Sequence, residues 1–316
     1  MKILPEVALN LDDVVLIADK PSIVQSRDEV KVDLARIIHA PMSANQHINF
    51  IMAASSLGTS LVIHRLNTSD LQKQLVDAYF KFHKSGKVWI SVGLRDWSER
   101  CVLNRERILK GDLGVCVDIA NSHSIHVQDV LKNICETYPE LKNSQRLMTG
   151  NVNSADGFLF SQKYAGIIRV GIGGGSACST AERTGYSSQG NFSLLKELYE
   201  LPTRNADIIF DGGLKTSGDF AKAFLGGADF CMAGGYFSQA KETNTNIFYG
   251  GASSVAKEIS GISMDYIEGK VLGVQNKVPL HQLVKELKDG LASAVSYAGY
   301  DKLGSALGQG TFQRLK

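Results

Sequence analysis

The strongest constraint on this chain is a recurrence: short, continuously apolar runs separated by stretches with helical periodicity. Eight such runs stand out: Ile37–Ala40, Leu61–His64, Val88–Val92, Val115–Ile119, Arg146–Thr149, Ile167–Val170, Asp207–Phe210 and Phe230–Ala233. Between them lie amphipathic stretches such as Asp70–His83, Val127–Tyr138, Ser193–Tyr199 and Gly218–Phe224. A strand that is apolar throughout, rather than alternately, is covered on both faces, the habit of parallel sheets flanked by helices. Eight strand–helix units predict an α/β chain folded as a closed (β/α)8 barrel, with an open doubly wound sheet as the alternative.

A chain of 316 residues has the length for one such barrel, and we read 1–316 as a single catalytic domain. An N-terminal lead, 1–36, precedes the first run. After the eighth run, Tyr236 to Asn276 is too long for a turn, and its polar, glycine-rich composition predicts a lid over 236–276. A helix from His281 to Tyr297 is expected to close the barrel within 280–316, and the tail from Gly308 to Lys316 is expected to be loose.

A net charge of +2 gives no electrostatic case for a nucleic acid or an acidic membrane as partner. The five cysteines, 101, 116, 135, 178 and 231, are odd in number and form no CxxC pair. That argues against a disulfide framework or a zinc site and for a reducing compartment. The first residues lack the apolar core of a signal peptide, and no apolar segment approaches the length of a membrane span. A soluble, cytoplasmic protein is expected.

In a barrel the chemistry belongs at the C-terminal ends of the strands. The fourth run ends Asp118-Ile119-Ala120-Asn121-Ser122-His123 and the fifth leads into Gly150-Asn151-Val152. The seventh ends Asp211-Gly212-Gly213 and the eighth Gly234-Gly235, glycine pairs placed where barrels hold a phosphate on backbone N–H groups. The sixth run opens into Gly171-Ile172-Gly173-Gly174-Gly175-Ser176-Ala177-Cys178-Ser179-Thr180. Four glycines let that loop turn tightly and approach a ligand, presenting the Cys178 thiol as a nucleophile among amides that can stabilise an anion. Cys116 and Cys231 lie inside strand runs and read as core; His64, at a strand end, reads equally as packing or as site.

These motifs resemble the IMP dehydrogenase/GMP reductase family. The cysteine loop looks like that family's catalytic loop. Asp211-Gly212-Gly213 followed by Gly218-Asp219-Phe220-Ala221-Lys222-Ala223-Phe224 is similar too, as is Gly226-Gly227-Ala228-Asp229-Phe230-Cys231-Met232-Ala233-Gly234-Gly235. The likeness runs from about Leu11 to Leu303. Arg183-Thr184-Gly185, Phe248-Tyr249-Gly250 with Ala252-Ser253-Ser254, Glu268-Gly269-Lys270 and Ser293-Ala294-Val295-Ser296-Tyr297-Ala298-Gly299 resemble the GMP reductase branch. So does the lack of a domain inserted between the second and third strands.

The resemblance implies NADPH-dependent reductive deamination of GMP, or of a related purine nucleotide, with NADH also possible as reductant. It implies Cys178 as the nucleophile that forms a thioimidate and Thr180 and Glu268 as the pair that moves protons. Ser176, Asp211, Gly212, Gly213, Gly234, Gly235, Gly251, Ala252, Ser253 and Gly269 would bind the nucleotide, Asp211 through its ribose. Arg65, Asp118, Ile119, Ala120, Ser293 and Ser296 would serve the cofactor, with Ser26 and Arg27 reaching it from a neighbouring subunit of a homotetramer. Carbonyls of Gly173, Gly175 and Cys178 would hold potassium. Taken alone, Glu268 reads equally as a solvated carboxylate and Thr180 as a helix cap.

The chain departs from the family pattern at several points. Arg65 replaces a lysine, Ala181-Glu182 a basic residue, Asp265 an arginine and Gly174 a proline. Arginine is permanently charged and forked, so Arg65 suits an anion but carries protons poorly. The cofactor side is thus altered while the nucleotide core is kept. IMP oxidation with NAD and a non-catalytic nucleotide-binding protein are the alternatives. The first needs a flap that activates water, for which Arg183–Gln189 leaves little room; the second is opposed by Cys178, Thr180 and Glu268.

Overall fold

The structure is a computed structural model that describes residues 8–65, 68–83, 86–187, 190–250, 254, 258, 269–275 and 277–315. After an outer strand β1 (Val14–Ile17), eight parallel strands form a closed barrel. They are β2 (Ile37–His39), β3 (Ser60–Ile63), β4 (Val88–Val92), β5 (Leu113–Asp118), β6 (Leu147–Val152), β7 (Ile167–Val170), β8 (Asp207–Asp211) and β9 (Phe230–Ala233). Pairing of Ile37, Ile38 and His39 with Cys231, Met232 and Ala233 closes the ring. The barrel is therefore observed, and the open sheet is excluded.

The expected helices form at α2 (Ser69–Phe82), α5 (Ile125–Thr137), α8 (Asn191–Tyr199) and α9 (Ser217–Leu225), with a closing helix at Leu280–Tyr297. The chain also forms α1 (Ile48–Leu57), α3 (Trp97–Leu103), α4 (Arg105–Lys110), α6 (Ala155–Ser161) and α7 (Thr180–Thr184). Local chemistry fixes the starts. At α9, Thr216 Oγ1 accepts from Asp219 N at 3.3 Å while Asp219 Oδ2 accepts from Thr216 N at 2.8 Å, a reciprocal cap.

Two apolar layers result. Inside the ring, Ile38, Val62, Trp89, Cys116, Met148, Ile167, Ile209, Phe230 and Met232 pack on one another. Between ring and helices lies the larger core, including Ile63, Val117, Ile168, Phe210, Phe220 and Leu287. Alternate strand positions thus point inward or outward, both into apolar surroundings, as in filled barrels.

Two expectations change. The fifth strand runs on through Gly150, Asn151 and Val152, because Gly150 stays in register with Asp118 across the sheet. The C-terminal tail is ordered: β12 (Thr311–Arg314) pairs antiparallel with β1, and Phe312 packs at a tilt against Phe192 with ring centroids 4.7 Å apart. The segment after β9 carries a short antiparallel ribbon, β10 (Ile247–Tyr249) with β11 (Val271–Gly273). Most of what lies between those two strands, including Gly251, Ala252, Ser253, Asp265 and Glu268, is outside the described residues.

Candidate active site

A cavity of about 350 Å³ opens at the C-terminal mouth of the barrel. It is lined by the loops after the barrel strands, with Cys178, Thr180, Asp118, Asp211 and Arg65 contributing polar groups. A second cavity of about 390 Å³ adjoins it and shares Gly174, Gly175, Gly212, Gly234, Gly235 and Phe248 as walls. Ser176 and Gly213 line this second one.

The cysteine loop leaves β7 and turns back across the mouth. Gly171 and Gly212 allow the loops after β7 and β8 to touch. A side chain on Gly171 would place its β-carbon 2.4 Å from the Asp211 carbonyl oxygen, and one on Gly212 2.8 Å from the Gly174 carbonyl carbon. Gly212 also holds φ at +94°, a conformation that favours glycine. At the loop's end Cys178 is half-buried, and its Sγ–H donates to Thr180 Oγ1 at 3.2 Å. Thr180 is the first residue of α7, whose cap position is taken by Ser179. Its hydroxyl is thus directed to the thiol as well as being near a helix start.

The ribbon holds this loop from the other side. Cys178 and Gly269 form an antiparallel bridge, Lys270 N donates to Ala177 O at 2.8 Å, and Gly250 N donates to Lys270 O at 3.1 Å. Beneath it, Ala44, Ala177, Phe248 and Tyr249 make a small apolar cluster of their own. Glu268 precedes Gly269 in the sequence and lies outside the described residues.

The floor of the cavity is charged. Arg169, from the middle of β7, projects inward and is buried, with its side chain between two carboxylates. Its Nη1 pairs with Asp118, while its Nε and Nη2 reach Asp211 Oδ2 at 3.0 and 2.9 Å. Asn151 Nδ2 adds a hydrogen bond to the same Oδ2 at 2.7 Å, and Ser91 Oγ donates to Asp118 Oδ2 at 3.0 Å. Burial opposes the guanidinium charge, but Asp118 and then Asp211 outweigh it and raise the Arg169 pKa well above the ordinary value. The bonds to Asp211 converge on Oδ2, so among the described residues Oδ1 has no hydrogen-bond partner, and Asp211 lines the first cavity.

Arg169 is the site residue that sequence reasoning missed, and Asn151, noted only as part of a strand end, had no role assigned to it. The signal for Arg169 was present: a charge inside an otherwise apolar strand must find partners when buried.

Of the other expected positions, Ala120 lines the first cavity, whereas Ile119 lies beside it and exchanges backbone hydrogen bonds with Gly150 and Asn151. Ser26, Arg27, Ser293 and Ser296 do not line either cavity. Ser293 and Ser296 stand on the closing helix and Ser26 and Arg27 in the N-terminal lead, where Arg27 Nη1 donates to Ser293 Oγ at 2.9 Å. Ser296 Oγ lies 2.8 Å from Ser22 Oγ. His64 is buried at the end of β3, Gln46 Oε1 accepts from its backbone N–H at 2.8 Å, and burial lowers its pKa to about 4. The cysteines other than Cys178 are all buried. Burial pushes the thiols of Cys101 and Cys116 up to about 12 and that of Cys135 to about 11. Cys178 is therefore the one thiol of the chain exposed to a ligand.

Comparison with known proteins adds to this geometry. The sequence profile of the IMP dehydrogenase / GMP reductase domain matches residues 8–315. A protein of Buchnera aphidicola subsp. Acyrthosiphon pisum (strain Tuc7) named GMP reductase is 30% identical over 347 aligned positions, covering 100% of this chain and 96% of that one. GMP reductase of Onchocerca volvulus is 28% identical across 95% of this chain and 89% of its own. GMP reductase 2 of Mus musculus is 31% identical over 64% of this chain and 61% of its own. With a barrel whose mouth presents Cys178 beside Thr180, the chain belongs to the IMP dehydrogenase/GMP reductase family.

Proposed function

We propose that this protein is an oxidoreductase of the GMP reductase type, converting GMP, NADPH and a proton to IMP, NADP and ammonia. The observation that carries the reading is the Cys178 Sγ to Thr180 Oγ1 contact of 3.2 Å on the wall of a cavity floored by Asp118, Arg169 and Asp211. Relatives named GMP reductase along the whole chain support the choice of branch.

The sulfur of Cys178, as thiolate, bonds to carbon 2 of the purine, and the bond from that carbon to its amino nitrogen breaks. The departing nitrogen takes up a proton through Thr180, which Glu268 supplies, and leaves as ammonia. The resulting thioimidate keeps carbon 2 electrophilic. A bound nicotinamide cofactor would supply the hydride for that carbon, and the Cys178 sulfur would then leave to give IMP. The residues present suit that cofactor, because the cavity continues from Cys178 to Asp118, Ala120 and Arg65.

Asp211 Oδ1 accepts from the ribose hydroxyls. The second cavity, with Ser176, Gly213, Gly234 and Gly235 on its walls, takes the phosphate on hydroxyl and backbone N–H groups. Potassium would be held by the Gly173, Gly175 and Cys178 carbonyls. Gly175 O already accepts the Cys178 N–H at 3.0 Å, which leaves one lone pair for the ion. Ser26 and Arg27, exposed in the N-terminal lead, and Ser293 on the closing helix fit a role toward a neighbouring subunit of a tetramer, whereas Ser296 is buried. All five cysteines are free, in keeping with a cytoplasmic setting, and among the described residues no helix is long and apolar enough to cross a membrane.

Ammonia release from GMP tests the reading. It should require NADPH or NADH, depend on potassium over lithium, and vanish in Cys178→Ala. Reduction of NAD on adding IMP, with no ammonia from GMP, would assign the protein to the dehydrogenase branch instead.

A further inference from the structure

One contact at the mouth belongs neither to the barrel nor to the nucleotide walls. Glu182, on α7, pairs through Oε1 with Lys270 Nζ, across 88 positions of sequence. Both ends lie in the immediate neighbourhood of the nucleophile. Glu182 stands four positions after Cys178, on the helix that Thr180 opens. Lys270 follows Gly269, the residue bridged to Cys178, and its own backbone N–H is bonded to Ala177 O at 2.8 Å. Side chain and backbone of Lys270 therefore grip the two sides of the same loop.

From this we infer that the Glu182–Lys270 ion pair is a positioning pair for Cys178, clamping the Gly269–Lys270 segment before β11 onto the cysteine loop and limiting access to the thiol. The inference rests on the reading of Cys178 as the reactive thiol. Both side chains are partly solvated, 40% exposed for Lys270 and 64% for Glu182, so the pair acts as a modest, salt-sensitive latch. Its loss leaves the barrel untouched, because no other described side chain is bonded to either charge.

The test is the rate at which iodoacetamide modifies Cys178 in the full-length protein without nucleotide, followed by peptide mass spectrometry. Cys178 reports alone because the other four cysteines are buried. Glu182→Gln and Lys270→Met should each speed alkylation by about threefold, the scale of an exposed pair. The exchanged pair, Glu182→Lys with Lys270→Glu, should return the rate to the parent value. Raising salt should speed the parent and leave the single variants unchanged. Single variants that react at the parent rate, or an exchange no better than the singles, would overturn the proposal. Because alkylation needs no GMP, a protein inactive on GMP that still shows this pattern would refute the proposed function alone.

Discussion

Two ionic arrangements flank the cavity and could hardly differ more. On the floor, Arg169 is buried between Asp118 and Asp211, and Asn151 and Ser91 satisfy further lone pairs. At the rim, Glu182 and Lys270 meet in solvent with a single contact. A buried charge without its partner is expensive, whereas an exposed pair contributes little to stability. The floor is thus bound up with whether the barrel folds, and the rim with how its loops sit. The same contrast separates rigid scaffold from adjustable mouth: the floor residues stand on strands held by neighbours on both sides, the rim residues on a short helix and a two-stranded ribbon.

The comparison can be broken at several points. The largest effect is expected from Arg169→Met, which strands two carboxylates in an enclosed space. It should cost about 3–5 kcal/mol in urea unfolding, and Asp118→Asn should recover part of that loss in the double variant. A loss under about 1 kcal/mol would show the floor to be no more demanding than the rim.

Next comes Gly212→Ala, which forces a β-carbon against Gly174 at a φ of +94°. It should lower stability by about 1–3 kcal/mol and weaken GMP binding, since the loops after β7 and β8 must separate.

Acid should act on the scaffold through histidines buried in neutral form. Burial lowers His39 to about 3 and His64 to about 4 in the folded protein. Their unfolded value is about 6.5, so the unfolded chain binds more protons below that pH. Stability is therefore complete above pH 6.5 and falls as pH drops toward 4, by about 1.4 kcal/mol per unit for each imidazole. Urea unfolding at pH 7 and pH 5 checks the slope, which His64→Gln should reduce.

The smallest effect on stability is expected from Glu182→Gln, under about 1 kcal/mol, even as Cys178 reactivity changes. A larger loss in unfolding would place the rim pair with the scaffold.

The barrel was legible in the sequence because its signal is local and repeated: apolar runs at strand length, each followed by a helical stretch. The cysteine loop was legible for a similar reason, its glycines, Cys178 and Thr180 lying within ten consecutive positions. What escaped depends on distance along the chain. Arg169 meets Asp118 and Asp211 at separations of 51 and 42 residues, and Ile167–Val170 hid its charge by being apolar elsewhere. The tail at Thr311–Arg314 buries little beyond Phe312, so its alternation is faint. Its order comes from pairing with Val14–Ile17 at the other end of the chain. Asn151 was visible only as part of the fifth strand's end; its role comes from bonds to Gly171 O and Asp211 Oδ2, 20 and 60 residues further along the chain, on a strand that carries on through it to Val152.

The central claim is that Cys178 starts a reductive deamination. Its most direct test is absorbance at the reduced-nicotinamide band with purified protein, potassium, NADPH and GMP, beside Cys178→Ala. The account predicts a fall that requires GMP, matches ammonia released one for one, and is absent in the variant while the fold is retained. A fall that persists in Cys178→Ala, or no fall with GMP in the presence of either NADPH or NADH, would contradict it.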